Sequence, residues 1–411
     1  MGERRRVVVT GLGPVAPVGI GVDDFWAGMT SGRNGIRQIT QFDTTDLPVK
    51  LAGEVPKFVA GDFLDAKEAR RTDPCVQYAL AAGSLAWRHA GEPEVVSERG
   101  GVIFATGIGG IQTLLAQHSV ILEKGPGRVS PFMVPMLMAN AAAGHLAMRY
   151  GLTGHNMATL SACASSNHAI GEGMRLIRDG YLDLCIVGGT EAATVPLTIA
   201  AFSQMTALTK NPDPDSASRP FDANRDGFVL SEGAAALILE SEEHARARGA
   251  SMLAEVAGYG ATADAHHITA PDPKGSGAAL AMRWALRDAG ASPADVSYIN
   301  AHGTSTPLND AAETVAVKSA LGEHAHQVAI SSTKSMTGHM LGAAAAVEGA
   351  ACVLAIANGV VPPTIHYETP DPECDLNIVA NEAQRMEVSL ALSNSFGFGG
   401  QNACVAFRAL D

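Results

Sequence analysis

Short apolar runs that reach glycine alternate along this chain with longer stretches in which apolar residues recur every three or four positions. Residues 7–13 and 101–107 each begin with such a run and meet glycine within a few positions. This pattern predicts buried strands that run into glycine turns. Ile170, Met174 and Ile177, at spacings of four and three, predict a helix whose apolar stripe faces the core.

The order of these signals occurs twice, which predicts two similar halves, 1–252 and 253–411, that share one core and meet near 248–253. Alternating strands and helices favour a parallel α/β sheet. Residues 342–357, rich in glycine and alanine, predict a helix that is buried on nearly all sides. The matching segments are 7–13 with 253–260, 101–107 with 296–303, 157–163 with 328–339, and the closing strands 234–239 with 403–407.

Composition indicates a globular protein. Of the 411 residues, 46% are hydrophobic and 17% charged, so the chain can bury a large core. The apolar run within residues 1–10 is too short for a signal peptide, and no uninterrupted apolar stretch reaches membrane-spanning length. We therefore expect a cytoplasmic protein without a membrane partner. The formal net charge of −13 argues against nucleic acid as a ligand.

The six cysteines contain no C-x-x-C pair, which argues against a disulfide framework and a zinc knuckle. Cys163 follows a β-rich run and precedes a predicted helix. Free backbone N–H groups and the helix dipole favour a thiolate at such a position. With six cysteines in the chain, this placement alone does not separate a nucleophile from a structural cysteine.

Two histidines add to this picture, because His302 and His339 follow predicted strand ends in glycine-rich segments, where α/β folds build sites. Neighbouring histidine pairs elsewhere lack a third ligand at metal spacing, so we expect no metal site.

Gly11 and Gly13 lack the third glycine and the acid of a dinucleotide loop, so no nicotinamide cofactor is expected. Residues 394–400 predict either a packed turn or a loop that swings an aromatic ring beside a ligand.

Five ordered segments resemble the type II elongating β-ketoacyl-acyl carrier protein synthases, and the likeness covers essentially the whole chain. The resemblance implies the thiolase-like fold, an α/β architecture of five αβαβα layers built from two similar halves, without a cofactor. It also implies decarboxylative condensation of malonyl-acyl carrier protein with a cysteine-bound acyl chain, in fatty acid or polyketide elongation. The segments are 161–164, 219–222 with 225–229, 300–310, 334–342 and 394–400.

The resemblance also implies a role for each residue of the site. Cys163 is the nucleophile, and His302 and His339 hydrogen-bond the malonyl thioester oxygen. Lys334 orients the site through a pair with Glu348. The remaining implied roles are an oxyanion hole from the backbone N–H groups of Cys163 and Phe398, a gate at Phe398, a substrate pocket lined by Thr304, Thr306, Phe396 and Phe398, and support from Asp310 and Glu313.

The implied partner is the acyl carrier protein, in its acyl- and malonyl-loaded forms, and the implied assembly is a homodimer. An acidic carrier protein needs a local basic patch despite the negative total charge. Exposed charges of this kind contribute steering and specificity more than affinity. The matching residues, named here the carrier patch, are Lys67, Arg70, Arg71, Lys124, Arg128 and Lys210.

Three alternatives to this interpretation share parts of its sequence pattern. A biosynthetic thiolase needs a second cysteine as base, and Cys404 lies in a closing strand, which is the wrong place by likeness. Starter-type condensing enzymes resemble Cys-His-Asn, whereas position 339 is histidine. This chain can also be the catalytic ketosynthase subunit of a heterodimer with a cysteine-less chain-length partner. Cys163 excludes only the possibility that this chain is that cysteine-less partner.

Overall fold

The structure is a computed structural model that describes residues 4–410. Its first half begins with a long buried strand and ends at the short helix before residue 248. The strands of this half are β1 (Val7–Ala16), β2 (Gly19–Ile20), β3 (Arg37–Gln38), β4 (Leu51–Ala52), β5 (Gly100–Ala105), β6 (Asn156–Met157), β7 (Leu184–Glu191) and β8 (Gly233–Ser241). The helices are α1 (Val22–Thr30), α2 (Ala66–Ala69), α3 (Pro74–His89), α4 (Ile111–Lys124), α5 (Met133–Leu137), α6 (Ala141–Tyr150), α7 (Ser165–Arg178), α8 (Pro196–Gln204) and α9 (Glu242–Ala247).

The second half repeats the strand–helix order with fewer elements. Its strands are β9 (Ala254–Ala263), β10 (Tyr298–Asn300), β11 (Ala329–Ser331), β12 (Val360–Val361), β13 (Gln384–Arg385), β14 (Leu390–Gly397) and β15 (Gln401–Arg408). Its helices are α10 (Ser276–Asp288), α11 (Pro307–Leu321), α12 (Lys334–Thr337) and α13 (Ala344–Asn358).

The main sheet of the described chain is mixed, which corrects the expectation of a parallel sheet. Its order is β11-β10-β14-β15-β9-β1-β8-β7-β5-β6, with β2 beside β1. The outer strands β5, β6 and β7, and likewise β10, β11 and β14, pair in parallel. The central strands pair antiparallel, and β1 meets β9 where Val9 lies opposite Ala254. Parallel pairing needs a long crossover, so it is confined to strands that are separated by helices in the sequence.

The glycine turns predicted for the first strand of each half are wrong, because both strands continue through their glycines. A Cβ on Gly13 in β1 would lie 2.0 Å from the carbonyl oxygen of Ala82 in α3. A Cβ on Gly260 in β9 would lie 2.0 Å from the carbonyl oxygen of Ala281 in α10. Glycine therefore lets an outer helix approach its sheet closely, and it does so at the same place in both halves.

Five layers result, as the resemblance implied. Helices α3 and α6 pack on the strands of the first half, and α10 packs on β9 and β15 of the second. Helices α7 and α13 pack on each other and on strands of both halves, which makes them the middle layer. The stripe of Ile170, Met174 and Ile177 is buried there, as predicted.

Helix α13 confirms the prediction of a helix buried on nearly all sides, since its residues from Ala344 to Ala355 are all buried. Residues 341–358 are long and apolar enough to pass a length test for a membrane span, yet 83% of that window is buried inside the protein. Its apolar composition is therefore explained by its position between two sheet halves.

Candidate active site

A single cavity of about 650 Å³ is lined by the candidate nucleophile and histidine segments from both halves. Cys163 comes from the first half, and His302 and His339 come from the second. Thr304, Thr306, Phe396 and Phe398 line the same cavity, so the structure places every residue of the expected substrate pocket on one surface.

The nucleophile candidate lies on a tight turn rather than at the end of a long strand. The strand expected over residues 157–160 is only β6, Asn156–Met157, and the chain then bends into the turn. Ala162, immediately before Cys163, has a φ of 49°, in the left-handed region that non-glycine residues rarely adopt. Ser165 holds this turn, accepting from the Ser161 N–H at 2.8 Å and donating to the Ala162 carbonyl at 2.6 Å. Such strain concentrates at functional sites, where the surrounding structure imposes it.

The protonation of Cys163 differs from the sequence-based expectation of a thiolate. The thiol is 7% exposed, and burial raises its pKa to about 11. Lys334 and the backbone N–H groups of Phe398 and Cys163 lower the pKa but do not offset burial. The thiol is therefore protonated at neutral pH, and a base must accept its proton when it attacks.

This protonation state predicts the pH dependence of alkylation. Because the thiolate is the reactive form, inactivation by iodoacetamide should rise about tenfold per pH unit between pH 7 and 9, with no plateau below about pH 10. The measurement is the rate of mass gain at Cys163 in the intact protein. A plateau near pH 7 would show instead that the helix start keeps the sulfur ionised.

A ring nitrogen of each imidazole lies within 4.8 Å of the sulfur. Nε2 of His339 lies 3.0 Å from Sγ of Cys163, and the His302 and His339 ring centroids are 5.5 Å apart and nearly perpendicular. Burial, followed by the Lys334 charge, holds the pKa of both rings well below the usual histidine value. Both are therefore neutral at pH 7. Neutral imidazoles can accept the thiol proton or donate an N–H to an oxyanion without first losing a charge.

The two acids Glu313 and Asp310 accept hydrogen bonds from backbone N–H groups near the site. The Glu313 carboxylate accepts from the His302 N–H at 2.8 Å and from the Gly303 N–H at 2.7 Å, so it holds the loop that carries His302. Asp310 faces another direction, accepting from the Phe221 N–H at 2.9 Å. The two acids expected to support the site therefore support different segments of it.

Phe228 is a site residue that sequence reasoning did not identify. Its ring meets the His339 ring edge-on at 5.2 Å between centroids, and it lines the cavity. The next residue, Val229, accepts the His339 N–H at 2.8 Å. The available signal is the segment 225–229, which contains Phe228 and carries part of the family resemblance.

Lys334 and Glu348 form the expected ion pair behind the histidines, with only 2% and 3% of their side chains exposed. Burial raises the pKa of Glu348, and the neighbouring Lys334 ammonium opposes that shift. A buried pair of this kind is costly to break, because the remaining charge has no solvent or partner.

The ion pair yields a stability prediction. Glu348→Leu leaves the Lys334 ammonium buried alone and should lower the free energy of unfolding by about 3–5 kcal/mol, measured by urea unfolding. The double variant Lys334→Met/Glu348→Leu should recover most of that loss, since both charges are gone. A double variant no more stable than the single one would mean that packing, not charge, causes the effect.

The carrier patch lies on the surface, as its proposed role requires. All six of its side chains are exposed. The Arg71 guanidinium lies 4.4 Å above the centroid of the Phe132 ring.

Thr206, which lines the cavity, adopts a left-handed φ of 56°.

Comparison with known proteins agrees with this geometry. Residues 4–245 match the family model "Beta-ketoacyl synthase, N-terminal domain", and residues 253–368 match "Beta-ketoacyl synthase, C-terminal domain". The chain is 52% identical over 409 residues to 3-oxoacyl-(acyl-carrier-protein) synthase 2 of Synechocystis sp., covering 99% of this chain and 98% of the relative. It is 48% identical over 413 residues to the Staphylococcus aureus protein of the same name, covering 100% of both. A solved structure described as a type II PKS acyl-carrier protein in complex with its ketosynthase bound to the hexaketide has a TM-score of 0.92 and 36% identity, covering 99% of this chain and 100% of that one.

Proposed function

The chain belongs to the beta-ketoacyl synthase family, and from that premise we propose that it is an acyltransferase that extends an acyl chain held on Cys163 by decarboxylating malonyl-acyl carrier protein. The observation that carries this proposal is one buried thiol within 4.8 Å of a ring nitrogen from each of two neutral imidazoles, in a single cavity. A nucleophile, a base and hydrogen-bond donors are then all within reach of one thioester.

In the first half-reaction Sγ of Cys163 attacks the acyl thioester carbonyl while Nε2 of His339, 3.0 Å away, accepts the thiol proton. The backbone N–H groups of Cys163 and Phe398, which lower the pKa of the thiol, would stabilise the oxyanion. The bond between the acyl carbon and the carrier sulfur then breaks, and the leaving thiolate takes the proton from His339.

In the second half-reaction His302 and His339 donate hydrogen bonds to the malonyl thioester oxygen. The bond to the carboxylate breaks, carbon dioxide leaves, and the electron pair forms an enolate that these donors stabilise. The enolate carbon attacks the acyl carbonyl on Cys163, the carbon–sulfur bond breaks, and the released thiolate takes a proton from solvent. Nδ1 of both rings is buried without a partner, so at His339 the contact of Nε2 with the thiol decides the tautomer.

Two pathways share this chemistry, and the identities favour fatty acid elongation. The relatives named 3-oxoacyl-(acyl-carrier-protein) synthase 2 are 52% and 48% identical, whereas the type II PKS ketosynthase is 36% identical. The second candidate, a ketosynthase subunit with a cysteine-less chain-length partner, is favoured by the TM-score of 0.92 to that structure. Co-purification with a cysteine-less paralogue, rather than with a second copy of this chain, would select it.

The proposed partner is the acyl carrier protein, with the carrier patch as its landing site, in a soluble cytoplasmic homodimer. The patch would raise the association rate more than the affinity, so its effect should weaken with added salt.

The test is incubation with acyl-carrier proteins of graded chain length, followed by the intact mass of the protein. We expect one acyl group per chain on Cys163, then release of carbon dioxide and a 3-oxoacyl product when malonyl-carrier protein is added. Acylation at another residue, or condensation with acetyl rather than malonyl donors, would contradict the proposal.

A further inference from the structure

The three reactive side chains of the cavity also have the composition of a metal site. Sγ of Cys163 and one ring nitrogen each of His302 and His339 lie within 4.8 Å of one another. Zinc bonds of about 2.0–2.3 Å in tetrahedral geometry place neighbouring ligand atoms roughly 3.3–3.6 Å apart. The 3.0 Å between Sγ and Nε2 of His339 is already close to that spacing, and the ligand atom of His302 lies within 4.8 Å of both.

The imidazoles are open to a metal ion, because zinc binds histidine through a ring nitrogen and Nδ1 of both His302 and His339 is buried without a hydrogen-bond partner. The missing second-shell partners also limit the affinity, since such partners contribute about 10–100-fold to metal binding. A reversible site is therefore expected rather than a permanent structural one.

The cavity offers a route and a favourable charge for a cation. Its lining among the described residues includes the carboxylates of Asp226 and Asp264 but no lysine or arginine. Lys334 lies behind the rings and opposes a cation, but Glu348 neutralises it. Three protein ligands would leave a fourth tetrahedral position for water, as in other sites that bind a metal with three protein ligands.

We propose that Cys163, His302 and His339 form an inhibitory site for a borderline-soft divalent cation, Zn²⁺, which blocks the nucleophile before acylation. The ion displaces the thiol proton, which passes to the buffer, and a sulfur–zinc bond forms without a change in oxidation state. Sequence spacing did not indicate this site because its ligands come from three separate segments. The inhibitory effect rests on the proposed function, whereas the binding itself does not.

Calorimetric titration of the metal-free protein with zinc chloride tests the binding. We expect one ion per chain, with the affinity reduced at least about tenfold in Cys163→Ser and in His302→Ala. The matched control is His266→Gln on an exposed loop, which should bind zinc as the unaltered protein does. Bound zinc should also protect Cys163 from iodoacetamide, and cobalt in its place should give a thiolate-to-metal absorption band that Cys163→Ser lacks.

Equal zinc affinity in Cys163→Ser, or undiminished alkylation of Cys163 with one zinc bound, would overturn the proposal. Circular dichroism of each metal-free variant separates lost binding from lost folding. Acylation in chelator-treated buffer is measured separately. Zinc binding without acylation would contradict the proposed function and support the metal site. Acylation without zinc binding would support the proposed function and contradict the metal site.

Discussion

Cys163→Ala is expected to abolish acyl-enzyme formation, with condensation falling by on the order of 10⁶-fold, as for the removal of nucleophiles in other enzymes. The reason is that no other thiol reaches the substrate. The other five cysteines are buried, and within residues 4–410 none of them lines the cavity. Intact mass after incubation with acyl-carrier protein is the measurement, and retained acylation of the alanine variant would end the proposal.

Cys404→Ala is the matched control and also tests the thiolase alternative. Cys404 lies in β15 opposite Asn394 and Gly260, fully buried and away from the cavity lining. Its loss should cost about 1 kcal/mol of stability from the small void and leave acylation and condensation intact. A thiolase would need this second cysteine as a base, so a variant that acylates but no longer condenses would favour that class.

The architecture was largely predictable because it depends on local signals that occur twice. The repeated strands, the buried middle-layer helices and the apolar stripe of α7 all follow from hydrophobic spacing. The glycines of the first strand in each half were wrongly interpreted as turns, because the sequence shows only that a side chain is missing. The structure shows that the missing atom makes room for a helix carbonyl, as at Gly13 beside Ala82.

The sequence predicted which residues meet in the cavity, but it did not predict the electrostatics of the cavity. A helix start beside Cys163 suggested a thiolate, yet burial of the thiol in the folded chain outweighs that local effect. Burial of one segment by another is a tertiary property, so spacing along the sequence carries no information about it. For the same reason the sequence did not predict the contact between Phe228 and His339, which are far apart in the chain.

The hydrogen bonds of the histidines can be isolated by removing the acylation step. Cys163→Gln places an amide where the acylated sulfur would be, and we expect it to convert malonyl-carrier protein and a proton into carbon dioxide and acetyl-carrier protein. Adding His302→Ala should lower this rate by about 10²–10³-fold, because a lost oxyanion donor costs about 2.7–4 kcal/mol of barrier. Release of carbon dioxide from each variant is the measurement, and His326→Ala, at an exposed position outside the cavity, is the control.

The pH profile of the same Cys163→Gln variant tests how the histidines act. Since burial and Lys334 hold the pKa of His302 and His339 well below the usual histidine value, both rings stay neutral at and above that usual value. The decarboxylation rate should therefore be flat between about pH 6 and 8. A rate that falls as the pH rises through about 6.5 would mean that a charged imidazolium, rather than a neutral N–H donor, stabilises the enolate. A double variant with His302→Ala that releases carbon dioxide as fast as Cys163→Gln alone would remove His302 from the reaction altogether.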